Sequence, residues 1–151
     1  MKIIIGSDHA GYTYKELLIA DLRLQGHEVI DTGAINNIDP DDYPDRTETA
    51  VRALLNNEGE RAILICGSAV GVSVAANKFK GIRAGICHDT YSAHQGVEHD
   101  DMNVLCMGQR IIGIELAKEI VAAFLSAKFS GEERHIRRLE KLRIIENKTM
   151  K

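Results

Sequence analysis

Short apolar runs alternate with amphipathic stretches along most of the chain. Residues 2–6 are a β-branched run that predicts a strand. Tyr12–Leu24 carries Leu17, Leu18, Ile19 and Leu22 at three- and four-residue spacings that predict a helix, with Gly26 as its stop. Glu28–Asp31 predicts a second strand. Residues 32–45 are polar, with Asn36-Asn37, Asp39-Pro40 and Tyr43-Pro44, and predict a loop; residues 46–55 predict a helix. Residues 62–66 read Ala-Ile-Leu-Ile-Cys, apolar throughout, as in a parallel strand covered on both faces. A glycine-bearing turn at 67–71, a short helix at 72–79, a strand at 82–87, a short helix at 90–97 and a strand at 103–107 follow. The helix predicted over 114–127 is apolar almost all round, which implies burial on more than one side, by the sheet together with either a second subunit or the C-terminal helix. Ser130-Gly131 breaks it, and a charged helix is predicted over 132–147.

Five strands separated by helices predict a doubly wound α/β sandwich. Residues 1–151 hold no internal repeat, linker or low-complexity segment, so one domain is expected. In such sheets ligands bind outside the carboxyl ends of the strands. That singles out residues 7–11, the 32–45 loop, residues 67–71, His88-Asp89 and residues 108–110.

Charge and composition narrow the function. The net charge of −3, from 19 basic and 22 acidic residues, argues against a general nucleic-acid binder. No apolar run approaches the ~20 residues of a membrane span. The opening Met1-Lys2-Ile3-Ile4-Ile5-Gly6 is too short in its apolar part for a signal peptide. Cys66, Cys87 and Cys106 form no C-x-x-C pair and end or lie within strand-like segments, as expected for buried thiols in a reduced, cytoplasmic protein.

The turn after the third strand, Cys66-Gly67-Ser68-Ala69-Val70-Gly71, leads into a helix N-terminus. Unpaired N–H groups there can cradle an anion, and a thiol at that position is favoured as thiolate. It is neither a Walker loop nor a G-x-G-x-x-G turn. The plain alternative is an ordinary βα turn with a small buried cysteine. Asp8-His9, after the first strand, pairs an acid with an imidazole; helix capping explains Asp8 but not His9. His88, His94 and His99 with Asp100 invite a metal-dependent hydrolase reading, but their spacing matches no strong zinc signature. His99, just ahead of the last strand, is placed for acid–base work. On the last helix Arg134 and Arg138 are four apart, so they share a face that could grip a phosphate; the alternative is a solvated basic face paired with Glu132, Glu133 and Glu140. Ile136, Leu139 and Leu142 lie on a different stripe and are expected to pack.

These residues together resemble a known family. Ser7-Asp8-His9-Ala10-Gly11, Asp42-Tyr43-Pro44-Asp45, Ile65-Cys66-Gly67-Ser68 with Gly71-Val72-Ser73-Val74-Ala75-Ala76-Asn77-Lys78, Gly81-Ile82-Arg83-Ala84, and Asn103-Val104-Leu105 with Gly108-Gln109-Arg110 are similar to the type B ribose-5-phosphate isomerases, within a family that includes galactose- and allose-6-phosphate isomerases. The resemblance runs from Met1 to about Asn147. It implies a Rossmann-like three-layer α/β sandwich with a five-stranded parallel sheet, a homodimer or dimer of dimers with active sites at the subunit interface, a sugar phosphate as substrate, and neither metal nor organic cofactor. It further implies that Cys66 is the base that moves a proton between C2 and C1 through a cis-enediolate. The amides of Gly67, Ala69, Val70 and Gly71 would hold the enediolate oxygen. His99, helped by Ser68, would open the furanose ring, and Asp8 would hold a hydroxyl. His9, Arg134 and Arg138 would bind phosphate, with Arg110 contributed by the partner subunit, and Tyr43 would border the sugar. Some relatives use a glutamate base in the turn; Val70 stands at that position here, so this chain resembles the cysteine class.

Three positions depart from the family pattern. Asp100 replaces the usual asparagine, setting a carboxylate near a developing enediolate. Ala69 replaces the middle glycine, at a cost of roughly 1–2 kcal/mol if φ is positive there. Gly131-Glu132-Glu133 replaces a Gly-Gly pair and brings two acids toward Arg134. These departures keep open the same chemistry on allose 6-phosphate, galactose 6-phosphate or a free sugar, and a non-catalytic module that binds phosphosugars.

Overall fold

The computed structural model describes residues 1–150. Five parallel strands form the sheet: β1 (Lys2–Ser7), β2 (Glu28–Asp31), β3 (Arg61–Cys66), β4 (Ala84–Ile86) and β5 (Val104–Gly108), in the order β2-β1-β3-β5-β4. The helices are α1 (Tyr12–Leu24), α2 (Tyr43–Leu55), α3 (Val70–Ala76), α4 (Thr90–Asp100), α5 (Ile114–Ser126) and α6 (Glu133–Thr149), with a 3-10 turn at His9–Gly11.

Alternate residues of the central strands feed two cores. Ile3, Ile5, Ile63, Ile65, Leu105 and Met107 pack with Leu18 and Leu22 of α1, Val97 of α4 and Phe124 of α5. Ile4, Leu64, Cys66, Val104 and Cys106 pack with Val51 and Leu54 of α2 and Val72 of α3 on the other face. Fully burying a side chain of this kind contributes roughly 1.5–3 kcal/mol, which is why the strands read as continuous apolar runs rather than alternating ones. Crossovers in one direction along the sheet use α1 and α4 on one face, and those in the opposite direction use α2 and α3 on the other. Crossovers of a single hand require this arrangement. The chain leaves β1 and β3 in opposite directions, so the crevice at their carboxyl ends is the topological switch point.

Several boundaries differ from expectation. Helix α2 starts at Tyr43 rather than at 46, because Pro44 sits in its first turn, where a fixed φ helps and a missing N–H costs nothing. Strand β4 is shorter than predicted. Helix α4 runs on to Asp100 instead of ending near 97, so His99 lies in a helical turn. Helix α5 buries Ala117, Ile120, Val121 and Phe124, while Leu116 remains 38% exposed, so within this chain it is covered on one side only. Ile136 and Leu142 of α6 are exposed and do not pack within the chain as expected; His135 is the helix's buried residue. No helix among the described residues is long and apolar enough to cross a membrane.

Candidate active site

A cavity of about 360 Å³ lies at the switch point, lined by Asp8, His9, Tyr43, Cys66, Gly67, Ser68, Gly71 and Arg110 with Ala10 and Ile111. Its floor is backbone. A Cβ on Gly11 would lie 2.3 Å from the carbonyl oxygen of Ile65, so only glycine lets the first turn rest on the end of β3. A Cβ on Gly71 would meet the Tyr43 ring at 2.9 Å, and this contact holds the aromatic wall against α3.

Cys66 ends β3, buried. The Ala69 N–H donates to its Sγ at 3.1 Å. Ala69 achieves this with φ 72° and ψ −17°, the left-handed conformation that the glycine usual at this position would adopt freely. The other two thiols differ in setting. Burial pushes Cys87 up to about 11 and Cys106 higher still, so both remain protonated. Ser68 accepts the Val70 N–H at 3.3 Å. The Arg110 guanidinium lies over Gly67 of its own chain, within 3.0 Å of where a Cβ would stand. Arg110 therefore lines this cavity from within the chain. Arg110 donates its N–H to the Gly67 carbonyl and Gln109 donates to that of Cys66, which ties the two turns together.

Asp8 caps the first turn, accepting the Gly11 N–H at 3.1 Å. Burial raises its pKa above the ordinary carboxylate range, against the Gly11 bond. His9 is held by Asp41, whose Oδ1 accepts the His9 N–H at 2.8 Å and lies 3.0 Å from its Nδ1. Arg46 Nε donates to the other oxygen of Asp41 at 2.7 Å. Burial opposes ionisation of Asp41, but the His9 N–H and the Arg46 guanidinium outweigh it and hold the carboxyl below its ordinary value. Nε2 of His9 is left as the nitrogen available to a ligand.

His99, Asp100, Arg134 and Arg138 do not join this cluster. Helix α4 runs back from the carboxyl edge and delivers His99 to the amino edge, where Asp100 and Asp101 present carbonyls to Arg83 Nε just ahead of β4. Helix α5 ends at the same edge, its Phe124 and Ala127 carbonyls accepting from Arg61 at the start of β3. The first turns of α6 lie there too. His135 stacks on His99 with centroids 4.2 Å apart, and Arg134 pairs with Glu132 at 2.9 Å. Glu133 pairs with Arg137 instead. Arg138 is exposed and has no ion-pair partner among the described residues. A larger groove of about 650 Å³ separates α6 from β4 and α4, walled by Leu139, Leu142, Ile145 and Met102 with Arg83 and Asp100.

The histidines do not converge on a metal geometry. His88 Nε2 accepts the Gly108 N–H at 2.9 Å, His94 lies 3.4 Å from Glu98, and no group of three metal-ligating side chains occurs among the described residues. Asp41 was not singled out from the sequence because it sits in a polar loop without periodicity; its place just before Asp42-Tyr43-Pro44 was the available hint. His135 sits among the charged residues of the last helix and carries no sequence signal of its own.

Comparison with known proteins agrees with this architecture. The model of the ribose/galactose isomerase family matches residues 3–142. Ribose-5-phosphate isomerase B of Escherichia coli is 44% identical over 147 residues, covering 97% of each chain. D-Erythrulose-4-phosphate isomerase 2 of Mycolicibacterium smegmatis is 42% identical, over 87% of this chain and 88% of the relative. The structure of Clostridium thermocellum ribose-5-phosphate isomerase B superposes with a TM-score of 0.95 at 44% identity, covering 98% of this chain and 99% of that one. A match of this extent, on a fold whose switch-point cavity holds the motif residues, means that the chain belongs to the ribose/galactose isomerase family.

Proposed function

We propose that the chain is a single sugar-phosphate isomerase domain, cytoplasmic, that interconverts ribose 5-phosphate and ribulose 5-phosphate with Cys66 as the base. The observation that carries this reading is the seat of Cys66, a buried sulfur at a strand end that receives the Ala69 N–H and lines a cavity shared with Asp8, His9, Tyr43, Ser68 and Arg110. A donor aimed at sulfur favours negative charge there. The thiolate takes the C2 proton of the open aldose. The C–H electron pair becomes the C1–C2 double bond, and the carbonyl pair moves onto O1 as a cis-enediolate. Ala69 and Val70 spend their N–H groups on Cys66 Sγ and Ser68 Oγ, so the other amides of the Gly67–Gly71 turn would face that oxygen; one such donor is worth about 2.7–4 kcal/mol in other enzymes. Return of the proton to C1, with the electrons of the double bond drawn from C2, forms the C2 carbonyl as the O2 hydroxyl proton passes to O1, and this gives the ketose. Asp8 holds a hydroxyl, Tyr43 borders the sugar, and His9 with Arg110 meets the phosphate.

Ring opening by His99 and phosphate binding by Arg134 and Arg138 then require a second copy. Within one chain His99 and Cys66 lie at opposite edges of the sheet, so His99, Asp100, Arg134 and Arg138 of one subunit serve the cavity of another. The exposed apolar residues Val70 and Val74 on α3, Tyr91 on α4 and Ile136 on α6 support a homodimer or a dimer of dimers. The erythrulose 4-phosphate specificity named for the mycobacterial relative keeps a second reading, the same proton transfer on a different sugar phosphate.

The test is aldose–ketose interconversion of ribose 5-phosphate, beside erythrulose 4-phosphate and allose 6-phosphate, with Cys66→Ala and His99→Ala chains. Each variant alone is expected to be inactive on ribose 5-phosphate. Subunit mixing at equal amounts is expected to restore about a quarter of wild-type activity, because half the dimers then carry one intact site of two. Full activity of Cys66→Ala overturns the base, and no recovery on mixing overturns the shared site.

A further inference from the structure

His135 is the one buried residue of α6, 1% exposed on an otherwise solvated helix. Burying an imidazole on a polar helix is costly unless it is used. Its Nδ1 lies 2.7 Å from Ser130 Oγ, while Nε2 is buried with no partner. Its ring lies face to face with His99, tilted by 27°. The loop that carries Ser130 is itself fastened to α4, the Ser130 N–H donating to the Glu98 carbonyl at 2.9 Å, one residue before His99. Anchor, ring and target therefore form one unit. Gln95 Nε2 lies 2.8 Å from His99 Nδ1, which leaves Nε2, 4.0 Å from the Glu98 carboxylate, as the nitrogen placed to exchange a proton. Burial, then the neighbouring His99 and Arg134, push the His135 pKa down, which favours a neutral ring beside His99.

We infer that His135 is a positioning residue for ring opening: its Ser130-anchored ring is the platform that fixes the plane of His99 for proton transfer to the furanose oxygen of an aldose phosphate. This rests on the role proposed for His99. In the step itself, His99 Nε2 gives a proton to the ring oxygen. The C1–O4 bond breaks with its electron pair going to O4, and the anomeric hydroxyl releases its proton to solvent, leaving the open aldehyde. Loss of orientation slows such a transfer without touching the later proton shuttle at C1 and C2.

Two readouts separate these steps. Turnover of ribose 5-phosphate needs the ring opened. Ribulose 5-phosphate cannot close a five-membered ring, because its C5 oxygen carries the phosphate, so exchange of its C1 proton with deuterated solvent needs only the Cys66 chemistry. His135→Ala is expected to lower ribose 5-phosphate turnover about tenfold or more through kcat while C1 exchange stays within about twofold of wild type. His135→Phe, which keeps a flat ring, is expected to recover most of the turnover. Should His135→Ala fail to fold, Ser130→Ala, which removes the anchor together with the longer 3.3 Å bond from the Glu132 N–H, is expected to show the same selective loss to a smaller degree. Unchanged turnover in His135→Ala or Ser130→Ala beside a defective His99→Ala overturns the inference and leaves the His99 role standing. Equal loss of turnover and exchange overturns it as a general structural effect. Full turnover in His99→Ala overturns the role of His99, and the inference with it.

Discussion

The backbone N–H of Ala69 points at the sulfur of Cys66 from 3.1 Å, and Ala69 takes a left-handed conformation to do it. Strain at one residue thus supplies a hydrogen bond received by another. Ala69→Gly relieves roughly 1–2 kcal/mol of strain. It also gives up a buried methyl worth about 0.8 kcal/mol and adds roughly 0.5–1 kcal/mol of unfolded-chain entropy. The terms nearly cancel, so denaturant unfolding should show a change within about 1 kcal/mol and turnover should be kept. Ala69→Val adds a β-branched side chain to the same conformation in a filled core and should unfold more readily and lose activity. Cys66→Ser keeps the shape but replaces the thiol with a far weaker acid, and kcat should fall about 100-fold or more if Cys66 is the base.

Asp41 should act through His9. Asp41→Asn keeps an oxygen for the His9 N–H but loses the charge that faces Nδ1 and Arg46. Steady-state kinetics should show a raised KM for a phosphorylated sugar with kcat little changed, if His9 meets the phosphate. The folded carboxyl titrates below its ordinary 3.8, so its stabilisation is present above that value and is lost as pH falls through the folded value. Thermal melts between neutral and acid pH should fall more steeply for wild type than for Asp41→Asn.

The opposite sign holds for Asp8. Its folded pKa is raised by burial, so the ionised form costs stability at neutral pH, and the cost vanishes as pH falls through the folded value. Asp8→Asn retains an oxygen for Gly11 and should melt higher at pH 7, by about 2–4 °C for each kcal/mol relieved, with the difference closing in acid. The same variant should lose turnover.

Asp100 is exposed at the end of α4, and its side chain makes no hydrogen bond among the described residues. Asp100→Asn, the residue usual in the family, should leave stability within about 0.5 kcal/mol. It should raise kcat/KM for a sugar phosphate several-fold by removing a carboxylate from beside an anionic substrate. An unchanged kcat/KM would show that the carboxylate is turned away from the site.

Sheet, helices and the Cys66 turn were legible because periodicity and glycine placement are local. Val97 is the last apolar residue of its segment, so the pattern ends α4 there; the turn beyond it is polar on every side and offers no periodic signal for the helix that continues to Asp100. Extending that helix puts His99 in a helical turn rather than a loop, while its place on the amino edge follows from lying just ahead of a parallel strand. The burial of His135 was not legible either, since the ring that covers it is 36 residues away and neither residue has an apolar pattern. Asp41 reaches His9 across 32 residues of chain, again without a periodic signal.

The seat of Gly11 on the Ile65 carbonyl bears on how this pocket can diversify. Main chain meets main chain there, so no side-chain exchange in the core can widen or narrow the gap between the first turn and the thiol. The reacting end of the substrate is gripped by parts that cannot be tuned gradually. Drift in sugar preference must then run through the walls that are made of side chains, Tyr43 and Ile111 on this chain and the residues that a neighbour presents. A lineage built on this frame can trade one sugar for another while inheriting the same proton transfer unaltered.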